Sequence, residues 1–300
     1  MEQRLAIINP AAGGGRAGRE AIHAIAELRT RGVPVEAWYT RNAGHAVRLA
    51  RRAYDEGFRH FIAVGGDGTS HEIVNGLAGA LGKEGTERVT LGFLPLGTGN
   101  SYLRDFGRFD VDHAIDRLAK GGRRPSDVLR VVHADGEVIA LNIVSFGFVA
   151  DVCRLAKDRL ARLKAGGYGV AVLAKLGKLR SEPYVMRLDD MAPWHQQAIV
   201  LSIHNSQFTG GAMHLAPFAD VSDGLLDVTL VSQVPLPTFL WLFSRMFSGH
   251  HVHHPAVTTA QARSIHFDSP MPSHVMVDGE VAQLSVREVH VLHSALDIWV

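Results

Sequence analysis

Short apolar runs alternate with amphipathic stretches along the first third of the chain. Between the runs, apolar side chains recur at helical spacing, as at Ile22, Ile25 and Leu28. Four runs have the length of a single strand: 5–8, 35–39, 61–64 and 90–95. This alternation predicts strand-helix units, and therefore an α/β domain whose mostly parallel sheet is covered by helices.

The pattern changes after residues 121–125. Apolar runs beyond this point mostly lack helices between them, and Ala134-Asp-Gly-Glu137 is typical of a hairpin turn. The exceptions are helices predicted within 150–179 and 236–247. The predicted strands are 127–133, 138–143, 184–188, 198–203, 225–231, 264–267, 274–277 and 289–293. We therefore predict a second domain that is mainly an antiparallel β-sandwich, with the boundary near residue 125.

Three glycines and one carboxylate follow the third apolar run, in Gly65-Gly-Asp-Gly-Thr69. Glycines let backbone N–H groups approach a ligand closely, and the helix predicted to begin at Thr69 adds its positive end, so this turn is suited to phosphate. Asp67 would repel phosphate unless it binds a metal ion or accepts a hydroxyl proton. The alternative is a plain strand-to-helix turn with a surface aspartate.

Two more glycine turns, at 9–15 and 97–100, follow the first and the fourth predicted strands. The carboxyl ends of parallel strands lie at the same edge of a sheet, and ligands bind there. We therefore expect the glycine turns to line a single cleft.

Composition excludes several classes of protein. The 300 residues are enough for two domains, and a formal net charge of +1 argues against a general nucleic-acid binder. The single cysteine, Cys153, excludes an internal disulfide and is typical of a reducing compartment. No stretch has the length and apolar composition of a membrane span. The sequence predicts a soluble, cytoplasmic protein that touches a membrane at most at its inner face.

Two stretches each permit two interpretations. His250-His-Val-His-His254 could bind zinc, but no cysteine or carboxylate accompanies it, so surface or structural histidines are favoured. The apolar side chains of the helix predicted within 236–247 could enter a bilayer. Core packing is favoured for them, because a stripe at helical spacing is what any buried helix presents.

Seven motifs occur along the chain: Asn9-Pro-Ala-Ala-Gly13, Gly65-Gly-Asp-Gly-Thr69 with Asn75-Gly76, Pro95-Leu-Gly-Thr-Gly-Asn100, Asn142-Ile-Val-Ser-Phe-Gly147, Gly210-Gly211 before Pro217, Asp223-Gly-Leu-Leu-Asp227 and Val277-Asp-Gly-Glu280. In this order they resemble the diacylglycerol-kinase-type catalytic family, which includes bacterial lipid kinases, sphingosine kinases and ceramide kinases. The resemblance implies an α/β domain at 1–125 that binds ATP and a β-rich domain at 126–289 that receives lipid. It also allows residues 290–300 to return to the first domain.

The resemblance further implies a Mg²⁺-dependent transfer of the γ-phosphate of ATP to a lipid hydroxyl. Glu280 is the implied base for the proton of that hydroxyl, with Asp67 as the competing residue. Mg²⁺ is implied at the Asp223 carboxylate with main-chain oxygens near Asp220 and Leu225, although the residues alone also permit a simple Asp-Gly turn. The implied ATP-site residues are Asn9, Pro10, Gly13, Arg16, Thr40, Gly65, Gly66, Asp67, Gly68, Thr69, Ser70, His71, Asn75, Gly97, Thr98, Gly99 and Asn100.

Two positions depart from the family pattern. Ala12 stands where the family often has serine, and Ser101 where many bacterial members have aspartate. Arg16 and Arg19 are the nearest candidate cations for the phosphates; the alternative is two solvated arginines on a helix.

Two other functions remain as alternatives. An NAD-kinase-type enzyme with a soluble acceptor is disfavoured, because no Gly-Ser-Thr-Ala-Tyr segment follows in the second domain. A catalytically silent regulator that binds lipid or nucleotide is disfavoured, because Asp67, Asp223 and Glu280 are all present. The expected partner is a lipid substrate such as diacylglycerol at the membrane surface. The sequence does not select among lipid acceptors, and it leaves the oligomeric state open, a homodimer being one option.

Overall fold

The chain forms two compact units in a computed structural model that describes residues 2–83, 85, 87–159, 179–268 and 272–300. The first unit comprises Met1–Val128, Val221–Gly224 and Leu292–Val300. The second comprises Leu129–Asp220 and Leu225–Val291. The predicted boundary near residue 125 and the predicted domain ranges remain predictions.

The first unit alternates strands and helices. Its elements are β1 Arg4–Ile8, α1 Ala12–Thr30, β2 Val35–Tyr39, α2 His45–Asp55, β3 His60–Gly65, α3 Asp67–Gly76, β4 Thr90–Pro95, α4 Val111–Lys120 and the start of β5 Arg123–His133, with short 3-10 turns at Ala78–Ala80 and Tyr102–Phe106. The ends of α4 follow from its sequence, because the Asp110 carboxylate accepts the N–H of His113 and Gly121 adopts a left-handed conformation.

A parallel sheet forms the centre of this unit, with β1 between β2 and β3, and β4 beyond β3. The last part of β18, Val286–Trp299, adds a further parallel strand beside β4, with Ile298 opposite Leu91. Every residue of β1 and β3 is buried, as expected for strands covered by helices on both faces. Apolar side chains of α1 and α4 pack on this sheet around Leu94 and Trp299.

The second unit is built from antiparallel strands. Its elements are β6 Gly136–Ala140, β7 Ile143–Gly147, α5 Phe148–Arg159, β8 Glu182–Leu188, β9 Trp194–Ala198, β10 Val200–His204, β11 Phe208–Thr209, β12 Met213–His214, β13 Leu226–Val231, α6 Leu236–Arg245, β14 Val257–Ala262, β15 Ser264–Phe267, β16 Ser273–Val277, β17 Glu280–Leu284 and the start of β18, with a 3-10 turn at His250–His253.

Two sheets of this unit face each other. One has the order β14-β13-β10-β7-β16-β17, and in the other β9, β8, β15 and β18 lie side by side. Side chains from both sheets, such as Phe146, Leu201, Met186 and Ile265, form one buried core between them. The predicted fold class, a parallel α/β domain followed by an antiparallel β-sandwich, is therefore confirmed.

Several predicted element limits were wrong. The single strand expected at 138–143 is two strands, β6 and β7, because the backbone between them donates to Asp278 instead of continuing a ladder. The strand expected at 198–203 is interrupted at Ile199. The helix predicted to begin at Thr69 begins at Asp67, and it ends at Gly76, where the backbone of α2 approaches too closely for a Cβ. Of the helix expected within 150–179, residues 160–178 lie outside the described residues.

Within the described part of the chain, no helix combines the length and the apolar composition that crossing a bilayer requires.

Candidate active site

Three glycine loops of the first unit meet at the carboxyl ends of β1, β3 and β4. A Cβ on Gly13 would overlap the carbonyl oxygen of Leu96, and a Cβ on Gly66 would lie 2.6 Å from the carbonyl oxygen of Gly99. A Cβ on Gly97 would overlap the backbone of Gly66. Only glycine allows backbones to pack this closely. The structure therefore brings together the loops that were expected to line one cleft.

Backbone hydrogen bonds fix the loops to each other. The N–H of Gly97 donates to the carbonyl oxygen of Gly65 at 2.7 Å, and the N–H of Asp67 donates to that of Gly99 at 3.2 Å. Gly13, Gly14 and Gly15 have positive φ values of 62, 66 and 88 degrees at the start of α1. Glycine turns and helix N-termini of this kind are suited to an anion such as phosphate.

Asp67 is the first residue of α3, and a backbone bond orients its carboxylate. The N–H of Ser101 lies 3.0 Å from both carboxylate oxygens. Ser101 is buried, and the contact uses its main chain. The serine that departs from the family pattern therefore still supplies the donor that holds Asp67.

Side chains of α3 form hydrogen bonds with the backbone of the same helix. The Ser70 hydroxyl donates to the carbonyl oxygen of Asp67 at 2.9 Å, and the Asn75 amide donates to that of His71 at 2.8 Å. His71 and Thr69 are buried. These residues shape the start of the helix that carries Asp67.

The loop after β2 is held to α3 by Glu72, a residue that sequence reasoning missed. Its carboxylate accepts the N–H groups of Gly44 and Ala46, each at 2.9 Å. Thr40, which begins this loop, is buried, and its N–H donates to the carbonyl oxygen of Ile8 at 2.8 Å. The loop with Thr40 is thereby fixed near the end of β1.

The remaining predicted ATP-site residues differ in exposure. Asn9 and Pro10 are partly buried at the end of β1, Gly68 and Thr98 are exposed, and Asn100 is partly buried. The Arg16 guanidinium donates to the carbonyl oxygen of Pro95 at 2.6 Å. Arg16 is therefore part of the loop framework, whereas Arg19 is exposed on α1.

Asp127 is a second carboxylate of the first unit that sequence reasoning missed. It is fully buried, and it accepts the N–H of Gly224 at 2.7 Å and that of Ser294 at 2.6 Å. The His293 ring nitrogen lies 3.0 Å from the same carboxylate. An acidic residue that opens an apolar strand was the signal available in the sequence, because a carboxylate in that position needs buried donors.

Asp127 thereby fixes the segment Val221–Gly224, which carries the predicted metal ligand Asp223 with its side chain exposed. The N–H of Asp127 donates to the carbonyl oxygen of Val221 at 2.7 Å, and the Arg124 guanidinium donates to the Ser222 hydroxyl at 2.9 Å. The other two predicted metal-site residues, Asp220 and Leu225, fall in the second unit.

Another group of three side chains has the spacing of a possible cation site. Side-chain atoms of Glu2, His60 and Glu87 lie within 4.8 Å of one another. The Arg123 guanidinium is already bonded to Glu2, and burial, the largest effect, lowers the pKa of His60. The arginine charge opposes a cation there, so we assign this group no role.

In the second unit, Asp278 holds the turn that precedes Glu280. Its carboxylate accepts the N–H groups of Leu141, Asn142 and Ile143 at 2.8, 2.9 and 3.0 Å. Asp278 has a positive φ of 49 degrees at the tight turn between β16 and β17. Glu280, the predicted base, is exposed at the start of β17.

Two histidines are buried within the second unit. His204 is fully buried at the end of β10, and neither ring nitrogen has a hydrogen-bond partner among the residues described. Burial lowers its pKa to about 3, and the nearby His251 adds to the effect. Burial likewise lowers the pKa of His251, to about 4, although its Nε2 lies 3.1 Å from the carbonyl oxygen of Leu215. Both rings are neutral in the folded protein near neutral pH.

Glycine loops at the carboxyl edge of a parallel sheet are a place where nucleotide phosphates bind, and the family models that match this chain are those of kinases. Residues 3–131 match the family model for the diacylglycerol kinase catalytic domain, and residues 142–300 match that for the YegS C-terminal NAD kinase beta sandwich-like domain. The chain belongs to the diacylglycerol-kinase-type family of lipid kinases.

Individual proteins are similar to this chain in sequence or in fold. A diacylglycerol kinase of Mycobacterium tuberculosis is 31% identical over 98% of this chain and 93% of its own. A crystal structure of a diacylglycerol kinase from Bacillus anthracis has a TM-score of 0.80 at 22% identity, over 99% of this chain and 96% of that one. An NAD kinase from Archaeoglobus fulgidus, solved with ATP, has a TM-score of 0.52 at 12% identity, over 99% of this chain and 93% of that one. The structural matches show a shared fold.

Proposed function

We propose that the protein transfers the γ-phosphate of ATP to the hydroxyl of a membrane lipid such as diacylglycerol. The observation that carries the proposal is the packing of three glycine loops around the backbone-oriented carboxylate of Asp67. Phosphoryl transfer requires mainly positioning and charge neutralisation, and such loops are suited to both. The Mycobacterium tuberculosis relative named diacylglycerol kinase supports the choice of acceptor.

The first unit would bind ATP through main-chain donors. The close packing at Gly13, Gly66 and Gly97 brings the glycine turns and the first turn of α3 to one edge of the sheet, where main-chain N–H groups would hold a triphosphate. Thr40, Thr69 and Thr98 would add hydroxyl groups at the rim. The N–H of Ser101 would hold the Asp67 carboxylate in place beside the phosphates.

Mg²⁺ would be held by Asp223 with main-chain oxygens near Asp220 and Leu225. The exposed Asp223 carboxylate and the main-chain carbonyl groups of its loop are hard oxygen ligands, which Mg²⁺ prefers. When bound, the ion would neutralise phosphate charge. The buried Asp127 would keep Asp223 in place through its bond to the N–H of Gly224.

Glu280 would accept the proton of the lipid hydroxyl as the new phosphoester bond forms. Asp278 would fix the position of Glu280 by bonding three successive backbone N–H groups with its carboxylate. In this proposal Asp67 has a different role, orienting the groups at the nucleotide rather than accepting that proton.

The lipid acceptor implies that the protein works in the cytoplasm at the inner face of a membrane. A homodimer is compatible with the proposal but is not required by it. Sedimentation velocity of the purified protein measures the oligomeric state directly.

The test is transfer of radiolabel from ATP with Mg²⁺ to a panel of lipids, with NAD as the competing soluble acceptor and mass measurement of the product. We expect a phosphorylated lipid, loss of the product on chelation, and recovery when Mg²⁺ is added back. Transfer to NAD would favour the NAD-kinase-type alternative.

Two variants separate catalysis from binding. Glu280→Gln is expected to lower kcat by at least about a hundredfold with ATP binding retained, the usual size of a general-base effect. Exposed Glu137→Gln, in β6, is the matched control. ATP binding by the wild-type protein without transfer to any acceptor would instead favour the silent-regulator alternative.

A further inference from the structure

Helix α6 and the turn that follows it carry two sets of apolar side chains, one buried and one exposed. Phe239, Leu242 and Met246 are buried in the second unit, as core packing predicts. A second set is exposed by 41 to 52%. We call this set the Trp241 surface: Leu236, Leu240, Trp241 and Phe247. Leu236 and Leu240 are four residues apart and therefore lie on one side of the helix, and Phe247 follows in the turn after it.

This surface cannot be explained as part of the core. A helix that is apolar all round is expected inside a protein or at a membrane. Ordinary surface helices instead present charged residues outward, yet α6 has only Arg245, at its end. The interpretation favoured from sequence, core packing, therefore accounts for only one side of the helix.

The charged residues that neighbour the Trp241 surface along the sequence are of one sign. No aspartate or glutamate occurs in the sequence between Asp227 and Asp268, although such residues make up 30 of the 300. The same stretch contains two arginines and five histidines. Exposed Arg245 is the last residue of the helix, and exposed His250 and His253 follow it.

Arg245 and His254 lie next to the central aromatic ring. The guanidinium carbon of Arg245 is 5.2 Å from the ring centroid of Trp241, and the ring of His254 is 5.7 Å from it. Tryptophan beside a basic group is typical of the boundary between acyl chains and head groups, where one end of each side chain is apolar and the other polar.

We propose that the Trp241 surface docks on the surface of an anionic phospholipid bilayer. Leu240, Trp241 and Phe247 enter the acyl boundary, and Arg245 and the exposed histidines lie among the phosphates. The inference deepens the proposed function and rests on it in one respect: a lipid kinase must reach an acceptor that lies in a bilayer. A shallow apolar insertion combined with basic residues is the usual way in which peripheral proteins bind such surfaces.

The test is vesicle co-sedimentation without ATP, using phosphatidylcholine alone and phosphatidylcholine mixed with phosphatidylglycerol. We expect binding to the mixed vesicles, and the Leu240→Glu/Trp241→Glu variant should bind them at least about tenfold more weakly, because burial of each side chain is lost. Met191→Glu, at another exposed apolar residue of the same unit, is the matched control. Trp241→Phe should retain vesicle binding, and Arg245→Glu should weaken it. These two single variants test the proposal even if the double variant does not fold.

Vesicle binding needs no turnover, so its outcome is separate from that of the proposed function. With lipid dispersed in detergent, the double variant should phosphorylate as fast as the wild type, since the acceptor no longer lies in a bilayer. Equal vesicle binding by wild type and double variant would overturn the proposal. The proposal would also be overturned if the wild-type protein did not bind vesicles but formed a dimer that the double variant does not form. The Trp241 surface would then contact a second copy of the chain.

Discussion

The two units hold their predicted chemical residues in different ways. In the first unit, Asp67 stands on loops that touch backbone to backbone at Gly13, Gly66 and Gly97. In the second unit, Glu280 follows a turn that one carboxylate, Asp278, fixes by accepting three N–H groups. The first arrangement cannot accept an added atom, whereas the second cannot lose a charge. The difference predicts which kind of substitution damages each region.

The largest effect is expected from added volume at the glycine loops. Gly97→Val would place side-chain atoms on the backbone of Gly66, and a clash between two backbones has no flexible group to move. We expect a loss of at least about 3 kcal/mol in the free energy of unfolding, with loss of ATP binding. Urea unfolding and calorimetric titration with ATP measure the two effects.

Gly79→Val is the matched control, because a Cβ there meets no atom within 4 Å. If Gly97→Val binds ATP as well as the wild type does, the loops are not packed backbone to backbone.

Asp127→Asn tests whether the first unit also depends on one carboxylate. The two carboxylate oxygens of Asp127 accept the N–H groups of Gly224 and Ser294, whereas asparagine has only one acceptor oxygen. One of these buried N–H groups would therefore face the amide NH₂ group and lose its hydrogen bond. We expect a loss of about 3 kcal/mol in stability and a raised Mg²⁺ requirement for transfer. Chemical unfolding and Mg²⁺ titration of activity provide the measurements, with exposed Asp135→Asn as control. Unchanged Mg²⁺ dependence would argue against a role of Asp127 in placing Asp223.

Asp278→Asn is the equivalent change in the second unit, with a smaller effect on stability. Asp278 is only partly buried, so water can satisfy some of the donors that it releases. We expect about 2 kcal/mol of destabilisation, together with a lower kcat at unchanged KM for ATP. Steady-state kinetics and chemical unfolding of Asp278→Asn, with exposed Asp190→Asn as the control, would show whether kcat falls while KM for ATP is unchanged. A change in KM for ATP alone would contradict it.

The stability of the second unit is also expected to depend on pH. His204 and His251 both have a pKa well below the value of 6.5 expected for an unfolded chain, because burial disfavours their charged forms. The unfolded chain therefore binds protons below about pH 6.5 while the folded second unit does not, and stability falls as the pH is lowered. We expect a loss of about 1.4 kcal/mol per pH unit for each histidine.

Urea unfolding at about pH 7 and about pH 5 measures this loss, and His204→Leu should remove about half of the slope that the two histidines produce. A slope unchanged by that substitution would mean that His204 is already charged in the folded protein.

The sequence predicts the parts of this molecule that depend on local pattern. Runs such as 61–64 are strands because they are apolar and short, and Gly65-Gly-Asp-Gly-Thr69 turns because glycine permits it. The break between β6 and β7 was missed because its cause, Asp278, lies 137 residues from Leu141 along the chain. Asp127 was missed for the same reason, since its donors are on Gly224 and Ser294.

Side chains that satisfy distant backbone groups leave no periodic signal, which is why the loops of the candidate site could be predicted and their supports could not. The outward side of α6 shows a second limit. A helical stripe identifies apolar residues, but the exposure of Trp241 depends on how much of the helix the sheet covers.

The division of the chain has a consequence for how the gene can be divided. The polypeptide passes between the two units at residues 128–129, 220–221, 224–225 and 291–292. A fragment ending at residue 128 would lack the final strand beside β4, leaving that sheet with an open border that invites aggregation. Neither half is therefore a natural expression unit, and recombination with a relative should preserve function only when the closing nine residues are inherited together with the amino-terminal portion.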